Sequence, residues 1–370
     1  MIKLSKKQFI HYGLCMLLSS VLLSGCTVSA GNDNVTTETQ ESLTDSEELK
    51  NTEEGATESV PESVDKAAEA TAGITETIDS AVDSTDSETE PSDTVTEIVI
   101  GGKQFISTDS EIDLSNIDLS QLATPIEEIL PQFSNLTKVT MLNCGLDNEG
   151  YAAICDANPD IKFVWEIIMS HWTVRTDQVA FGTFKTCDQT FFLHDDEAKY
   201  LKYCTDLVAL DLGHNYVTDL SFLQYMPDLK VLILVDNVHH WENDKIRHIT
   251  DLSYVSCCPK LEYLEFFCNS VSDISFLASL PNLTDLNISY NPIPTEMAQY
   301  LYGMPKLQRL WMEHTRISYD EFTKLQASYP NVEMYYYGEG SIDHGWRTGS
   351  HYQAMRNMLK NNVIDPVYAD

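Results

Sequence analysis

Between Leu207 and Thr315 one nine-residue phrase, L-x-x-L-x-L-x-x-N, occurs five times: Leu207 to Asn215, Leu229 to Asn237, Leu261 to Asn269, Leu283 to Asn291 and, with threonine in last place, Leu307 to Thr315. By subtraction the starts lie 22, 32, 22 and 24 residues apart, and a divergent last copy is read at Val332, Tyr335 and Tyr337. One copy is too short to bury its own apolar face, so the copies must stack and share a continuous core. Apolar residues at positions 4 and 6 suit a short strand with one face inward. Position 9 falls where the chain leaves the strand; an amide there can both donate to and accept from stranded backbone groups, so a stacked asparagine column is expected. The return segments repeat as well: Val217-Thr-Asp-Leu-Ser-Phe-Leu223 parallels Val271 to Leu277 and Ile249 to Val255. Pro227, Pro259, Pro281, Pro305 and Pro330 then block helix continuation before the next strand.

Register and consensus together resemble the leucine-rich repeat family, and the 22-residue units resemble its bacterial internalin-type class. The resemblance implies an α/β solenoid, with parallel strands on the concave face, short helices and turns on the convex face, and a cap at each end. It also implies a non-enzymatic protein that binds a protein or peptide on the concave face; the alternative is a glycan or cell-wall polymer on the same face. Positions 3, 5 and 7 of each strand point outward there. The residues expected to hold the ligand are Ile233, Tyr263, Glu265, Phe267, Asp285, Asn287, Arg309, Trp311, Glu313 and Tyr336. Aromatic anchors beside charged groups are the usual make-up of an interface. On this register Trp311→Ala is expected to weaken binding and spare the fold, whereas Leu310→Ala is expected to cost ~2 to 5 kcal/mol of folding stability.

Ahead of the regular copies, Glu97 to Phe105 reads as a strand, a Gly-Gly turn and a return strand that caps the stack. Ile112, Leu114 and Ile117 fit positions 4, 6 and 9 of a first copy, and Leu136, Val139, Met141 and Cys144 make a full one, with Cys144 in the asparagine place. A helical return is expected between Asp147 and Pro159. The next copy is read from Ile161, with Val164 at position 4 and Glu166 breaking position 6. Residues 165–206 depart from the pattern and suggest extra strands, then a helix from Asp195 to Tyr203. Residues 238–250, which include His239, His240, Glu242, Asp244 and His248, add ten residues to one period. Helical returns are expected at Thr295 to Tyr302 and Asp320 to Ser328. The last stretch, Gly345-Trp-Arg and then Tyr352, Met355, Met358 and Leu359 at helical spacing, reads as a cap over the final coil. Both this stretch and residues 165–206 resemble leucine-rich repeat proteins of Firmicutes.

Lys3, Lys6 and Lys7, an apolar run to Leu23 and the sequence Leu23-Ser-Gly-Cys26 resemble a bacterial lipoprotein signal. The expected product begins at Cys26, carries a lipid such as palmitate on that sulfur, and sits on the extracellular face of the cell membrane. From there to residue 97 about twenty acids face only Lys50 and Lys66, with no aromatic residue. Such a composition cannot offset chain entropy and reads as a disordered tether. The expected organisation is therefore a signal over 1–25, a tether over 26–97, the solenoid with its N-terminal cap over 98–344, and a C-terminal cap over 345–370. Of the net charge of −34, roughly −19 falls on residues 98–370, which argues against nucleic-acid binding. A monomer is expected.

Little in the chain points to chemistry. The His-rich insertion 238–250 has the residue types of a zinc site but matches no metal motif, and it centres the alternative reading of an enzyme or metal protein. Ser341, Asp343 and His344 are triad residue types without triad spacing, and Cys187 with His194 lacks an orienting third group. No cofactor, metal or catalytic residue is assigned. Apart from Cys15 and Cys26 the cysteines are Cys144, Cys155, Cys187, Cys204, Cys257, Cys258 and Cys268, an odd number that allows disulfides but reads more simply as buried thiols at core positions.

Overall fold

The computed structural model describes residues 95–184, 190–240 and 246–369. The signal, Cys26, the tether up to residue 94 and Cys187 lie outside the described residues, as do the side chains of 238–247.

At the N-terminal end β1 (Glu97–Ile100) and β2 (Lys103–Ile106) form the expected antiparallel pair around Gly101 and Gly102. Three short parallel strands follow, β3 (Glu111–Asp113), β4 (Lys138–Thr140) and β5 (Lys162–Val164). Val139 stands beside Phe163, so Phe163 occupies position 4 of that coil and Trp165 position 6. The reading from Ile161 is therefore one residue out. Phe163 and Trp165 are buried in the core, and the exposed Glu166 breaks nothing because it opens the next element.

That element settles the irregular region. Strands β6 (Glu166–Met169) and β7 (Trp172–Arg175) form a hairpin that buries Ile167, Met169 and Val174 and interrupts the sheet. The chain then rejoins the stack as β8 (Ala180–Gly182), parallel to β9 (Ala209–Asp211). The seven-stranded parallel sheet runs β8, β9, β10 (Val231–Ile233), β13 (Tyr263–Glu265), β14 (Asp285–Asn287), β15 (Arg309–Trp311) and β16 (Glu333–Tyr335). The insertion after Asn237 is an antiparallel hairpin of its own, β11 (Val238–His240) with β12 (Ile246–His248).

In-register pairing places Leu210, Leu232, Leu264, Leu286, Leu310 and Met334 side by side at position 4, all facing the main core. Met334 at that position moves the last copy by one residue from its expected register. A one-residue slip exchanges the two faces of a strand, so Tyr335 points to the concave side. Tyr336 turns toward the main core, where its hydroxyl donates to Ile317 O at 2.7 Å.

The convex returns are single helical turns, Ser221–Tyr225, Ser253–Cys257 and Ser275–Ser279, and the repeated aspartate explains why. Asp219, Asp251 and Asp273 each accept the backbone N–H two residues on, at 2.8 to 2.9 Å, which sets up the turn. Two longer returns are helices, α1 (Asn148–Ala157), capped by Asp147, and α2 (Tyr319–Ser328), capped by Ser318. Thr295–Leu301 is a tighter helical turn. Among the described residues Cys144, Cys155, Cys204 and Cys258 are buried free thiols. Burial pushes the Cys155 and Cys258 thiols up to about 12.

The position-9 column behaves as a ladder. Asn237 Nδ2 donates to Leu212 O of the preceding coil at 2.9 Å, and Asn269 Nδ2 to Leu234 O at 2.8 Å. Their Oδ1 atoms accept from Val217 N and Asn237 N. Cys144 takes the same place, its thiol donating to Leu114 O one coil back at 3.2 Å. Just before each of these residues the backbone turns left-handed, at Asn116, Asn143, His214, Asp236, Cys268, Tyr290 and His314. That conformation costs a side-chain-bearing residue energy, and the ladder bonds next to it hold it in place. Asn269→Ala leaves Asn237 N and Leu234 O short of a partner and should cost ~1 to 3 kcal/mol in chemical denaturation; an unchanged midpoint contradicts the ladder.

Candidate functional site

The residues expected to bind a ligand do share the concave face, Tyr336 excepted, but they are covered. The chain beyond Gly338 does not cap the last coil; it turns back and crosses the sheet from β16 toward β8. Its helix α3 (Ser350–Asn361) buries Ala354, Met355, Met358 and Leu359 in a second apolar core with Ala180, Ala209, Val231, Ile233 and Val235. Parallel strands that are apolar on both faces need cover on both sides, and here the chain supplies the second cover itself.

Trp346 is the anchor. It is fully buried between Tyr263 and Trp311, with ring centroids 5.4 and 4.9 Å away. Its indole N–H donates to Glu265 Oε2 at 3.0 Å, and Tyr263 donates to the same oxygen at 2.9 Å. The Arg309 guanidinium lies over the Trp346 ring, 4.5 Å from its centroid, and donates to Trp346 O at 3.0 Å. Beyond Trp311, Tyr335 stacks on His344 of the returning segment at 3.9 Å. Phe267 is half-buried against Gly340, where an added Cβ would lie 2.6 Å from its ring. Gly340 has φ +68, so both space and backbone call for glycine.

Polar groups close the remaining gaps. Asp285 holds Arg309 on one oxygen and His351 of α3 on the other. Burial pushes the Asp285 carboxyl up, but the hydrogen bond from His351 and the charge of Arg309 outweigh it and hold it below its usual value. The bond to Asp285 raises His351. Lys230 Nζ donates to Tyr368 O at 2.8 Å, and Asn362, in a left-handed cap at the end of α3, accepts from Val179 N and Ala180 N along the free edge of β8. Burial raises Glu265 and Asp211, and raises Glu313 to about 7. Asn287 Oδ1 accepts from Ser289 N at 3.1 Å, and Ser289 Oγ donates to Glu313 Oε2.

The expectation that Trp311 is exposed is therefore overturned: Trp311 lies in the second core, as do Ile233 and Tyr263. The sequence reading missed Lys230, Trp346, His351, Asn362 and Tyr368 as concave-face residues. A signal was present in Val231, Ile233 and Val235, outward positions too apolar to stand in water beside a C-terminal stretch rich in Met, Trp and Tyr. Ser341 is buried, and its Oγ accepts from Arg347 at 3.2 Å. What the arrangement does chemically is hold a peptide segment in an aromatic and acidic groove.

Truncating either indole should cost the fold ~3 to 5 kcal/mol: Trp346→Ala and Trp311→Ala both lower the denaturation midpoint, and a small effect of either contradicts the second core. His351 gives a pH signature. Its folded value is raised, so its contribution is full below the unfolded value near 6.5 and is lost as pH rises through the folded value. The stability gap between the native chain and His351→Gln should be widest at pH 5.5 to 6 and narrow by pH 9; a pH-independent gap contradicts the charged Asp285 pair.

Residues 259–300 match the family described as leucine rich repeats (2 copies). No curated protein sequence matches the chain. Among solved structures it is similar to an internalin, InlF, of Listeria monocytogenes, with 18% identity over 59% of this chain and 51% of that one and a TM-score of 0.35. Internalin C2 of the same species gives 26% identity over 36% and 62%, with a TM-score of 0.28. A leucine-rich repeat protein of Leptospira interrogans gives 15% over 62% and 54%, with a TM-score of 0.31. The chain spans less than two thirds of the length of each of these proteins. Leucine-rich repeats as a class are non-enzymatic protein-interaction scaffolds. With its coils in register, an amide ladder and the family match over residues 259–300, the chain is built as an α/β leucine-rich repeat solenoid.

Proposed function

We propose that the chain is a non-enzymatic lipoprotein, anchored through Cys26 on the outer face of the cell membrane, that binds a protein partner along the rim of its solenoid rather than within the concave face. The observation that carries this reading is a strip of side chains thrown outward by the left-handed residue at position 8 of successive coils. His214 meets Asp236 at 3.2 Å and Tyr290 packs on His314 at 4.3 Å, while Phe267, at position 7 beside the strip, meets Tyr290 edge-on at 5.6 Å. His214, Asp236, Phe267 and Tyr290 are half-buried and His314 is exposed. The β11–β12 hairpin springs from the same rim, directly after Asn237. Large rings held half-open by their neighbours and flanked by charge are what binding hot spots use.

The concave face is a poor rival in this state, because a partner would have to displace Trp346, Met355, Met358, Leu359 and Tyr368, all buried. The strong negative charge of the chain favours a partner with a neutral or basic face.

Capture of surface proteins by the mature chain, run beside a glycan array, tests the ligand class; signal on the array alone replaces a protein partner with a glycan. For a captured partner, Tyr290→Ala with His314→Ala should weaken binding by ~2 kcal/mol without lowering stability to match. Unchanged binding moves the site off this rim. Cys26→Ser should release the protein from the membrane fraction, and retention there refutes the lipid anchor.

A further inference from the structure

Where the chain leaves β16 and starts back over the sheet, three side chains able to bind a metal converge: Glu313, at position 7 of the β15 coil, and Asp343 and His344 of the returning segment. One ligand atom from each lies within 4.8 Å of the other two. Glu313 is wholly buried. Its Oε2 accepts from Ser289 Oγ, while its Oε1 is shut off from solvent with no hydrogen-bond partner. Asp343 repeats this arrangement: Oδ2 accepts from Glu339 N at 2.8 Å, and Oδ1 is buried without a donor. His344 Nε2 stands 3.2 Å from Asp343 Oδ2. The turn is drawn tightly around the pair, since a Cβ on Gly338 would lie 2.5 Å from Asp343 Oδ2 and 2.9 Å from His344 Nε2.

Two carboxylates with ligand atoms within 4.8 Å of each other, each with one oxygen screened from water and without a donor, are unfavourable unless a proton or a cation neutralises them. A proton satisfies one oxygen. A cation satisfies both and also gives the imidazole a role.

We propose that Glu313, Asp343 and His344 form a zinc site that fastens the returning C-terminal segment to the β15 coil. One imidazole and two carboxylates, with a fourth position left for water, suit Zn2+. Ca2+ and Mg2+ prefer six or more oxygen ligands and gain little from an imidazole. Without zinc His344 Nε2 lies 3.1 Å from Tyr337 O, a bond that needs a proton on Nε2. On binding, the neutral ring carries its single hydrogen on Nδ1 instead, and the Nε2 lone pair goes to the metal.

The test is calorimetric titration of the chelator-treated mature protein with zinc chloride, with calcium chloride in parallel, followed by thermal melts. The expected result is one Zn2+ per chain and a higher melting temperature, with no such effect from calcium at equal concentration. Glu313→Gln and His344→Asn should each weaken zinc binding by at least about tenfold, and the metal-free melting temperature of either should fall little or, for Glu313→Gln, rise. His344 is exposed, so its variant keeps the test available if Glu313→Gln fails to fold. A third variant, with His239, His240 and His248 all changed to Asn, should bind zinc as the native chain does. The proposal is overturned by the absence of one-to-one zinc binding, by binding that survives both ligand substitutions, by binding lost only in the hairpin variant, or by calcium acting as zinc does.

Discussion

A parallel strand three residues long that is apolar on both faces has to be covered twice. In this protein the convex turns cover one face and the chain's own C-terminal segment covers the other. The first cover follows from the repeat: Leu210, Leu232, Leu264, Leu286 and Leu310 line up because adjacent coils pair in register, and the asparagine ladder fixes where each coil turns. The second is set by particular residues, with Val231, Ile233, Tyr263 and Trp311 on the sheet and Trp346, Met355, Met358 and Leu359 laid over them. Parallel sheets are in general buried on both faces, and a solenoid with an open, polar concave face escapes that requirement only by keeping its outward positions hydrophilic. Here they are not.

The cover also explains the buried polar groups of the sheet. Glu265 and Asp285 sit at outward strand positions and would be ordinary surface acids in an open groove. Under the returning segment each finds a donor within it, Trp346 for Glu265 and His351 for Asp285. Removing a donor from beneath such a cover leaves a charge or a lone pair in low dielectric, which costs more than the bond itself contributes. Specific pairing in this layer therefore adds register to what apolar contact alone would leave free to slide.

How much of this was legible in the sequence depended on whether the signal was periodic. Residues 207–315 repeat, so strand positions, inward faces, the amide ladder and even Cys144 as an asparagine substitute could be read directly. Where the period breaks, the reading slipped by one residue. Trp165 was missed at position 6 and Tyr336 was put on the wrong face, because an isolated apolar cluster such as Val332 to Tyr337 fits two registers equally well. The C-terminal helix was legible as a helix from Tyr352, Met355, Met358 and Leu359, but not its partner. Helical spacing says which face is apolar and nothing about which distant surface it meets. The left-handed turn at position 8 was invisible because Asn, His, Asp, Cys and Tyr all occupy it, held there by neighbouring bonds rather than by residue type. Closing the concave face also moves the search for a partner to the position-8 rim and the hairpin beside it, a surface the consensus pattern treats as variable.

The returning segment is part of the folded unit and not a removable flap. Native-state hydrogen exchange on the amides of α3, Ser350–Asn361, measures this most directly, with β9 and β10 as the internal reference. The slowest amides of α3 and those of β9 and β10 should exchange with the same opening free energy and respond equally to denaturant, as members of one cooperative unit do. Exchange of α3 at a much lower opening free energy, while β9 and β10 stay protected, would contradict it and restore the concave face as an accessible binding surface.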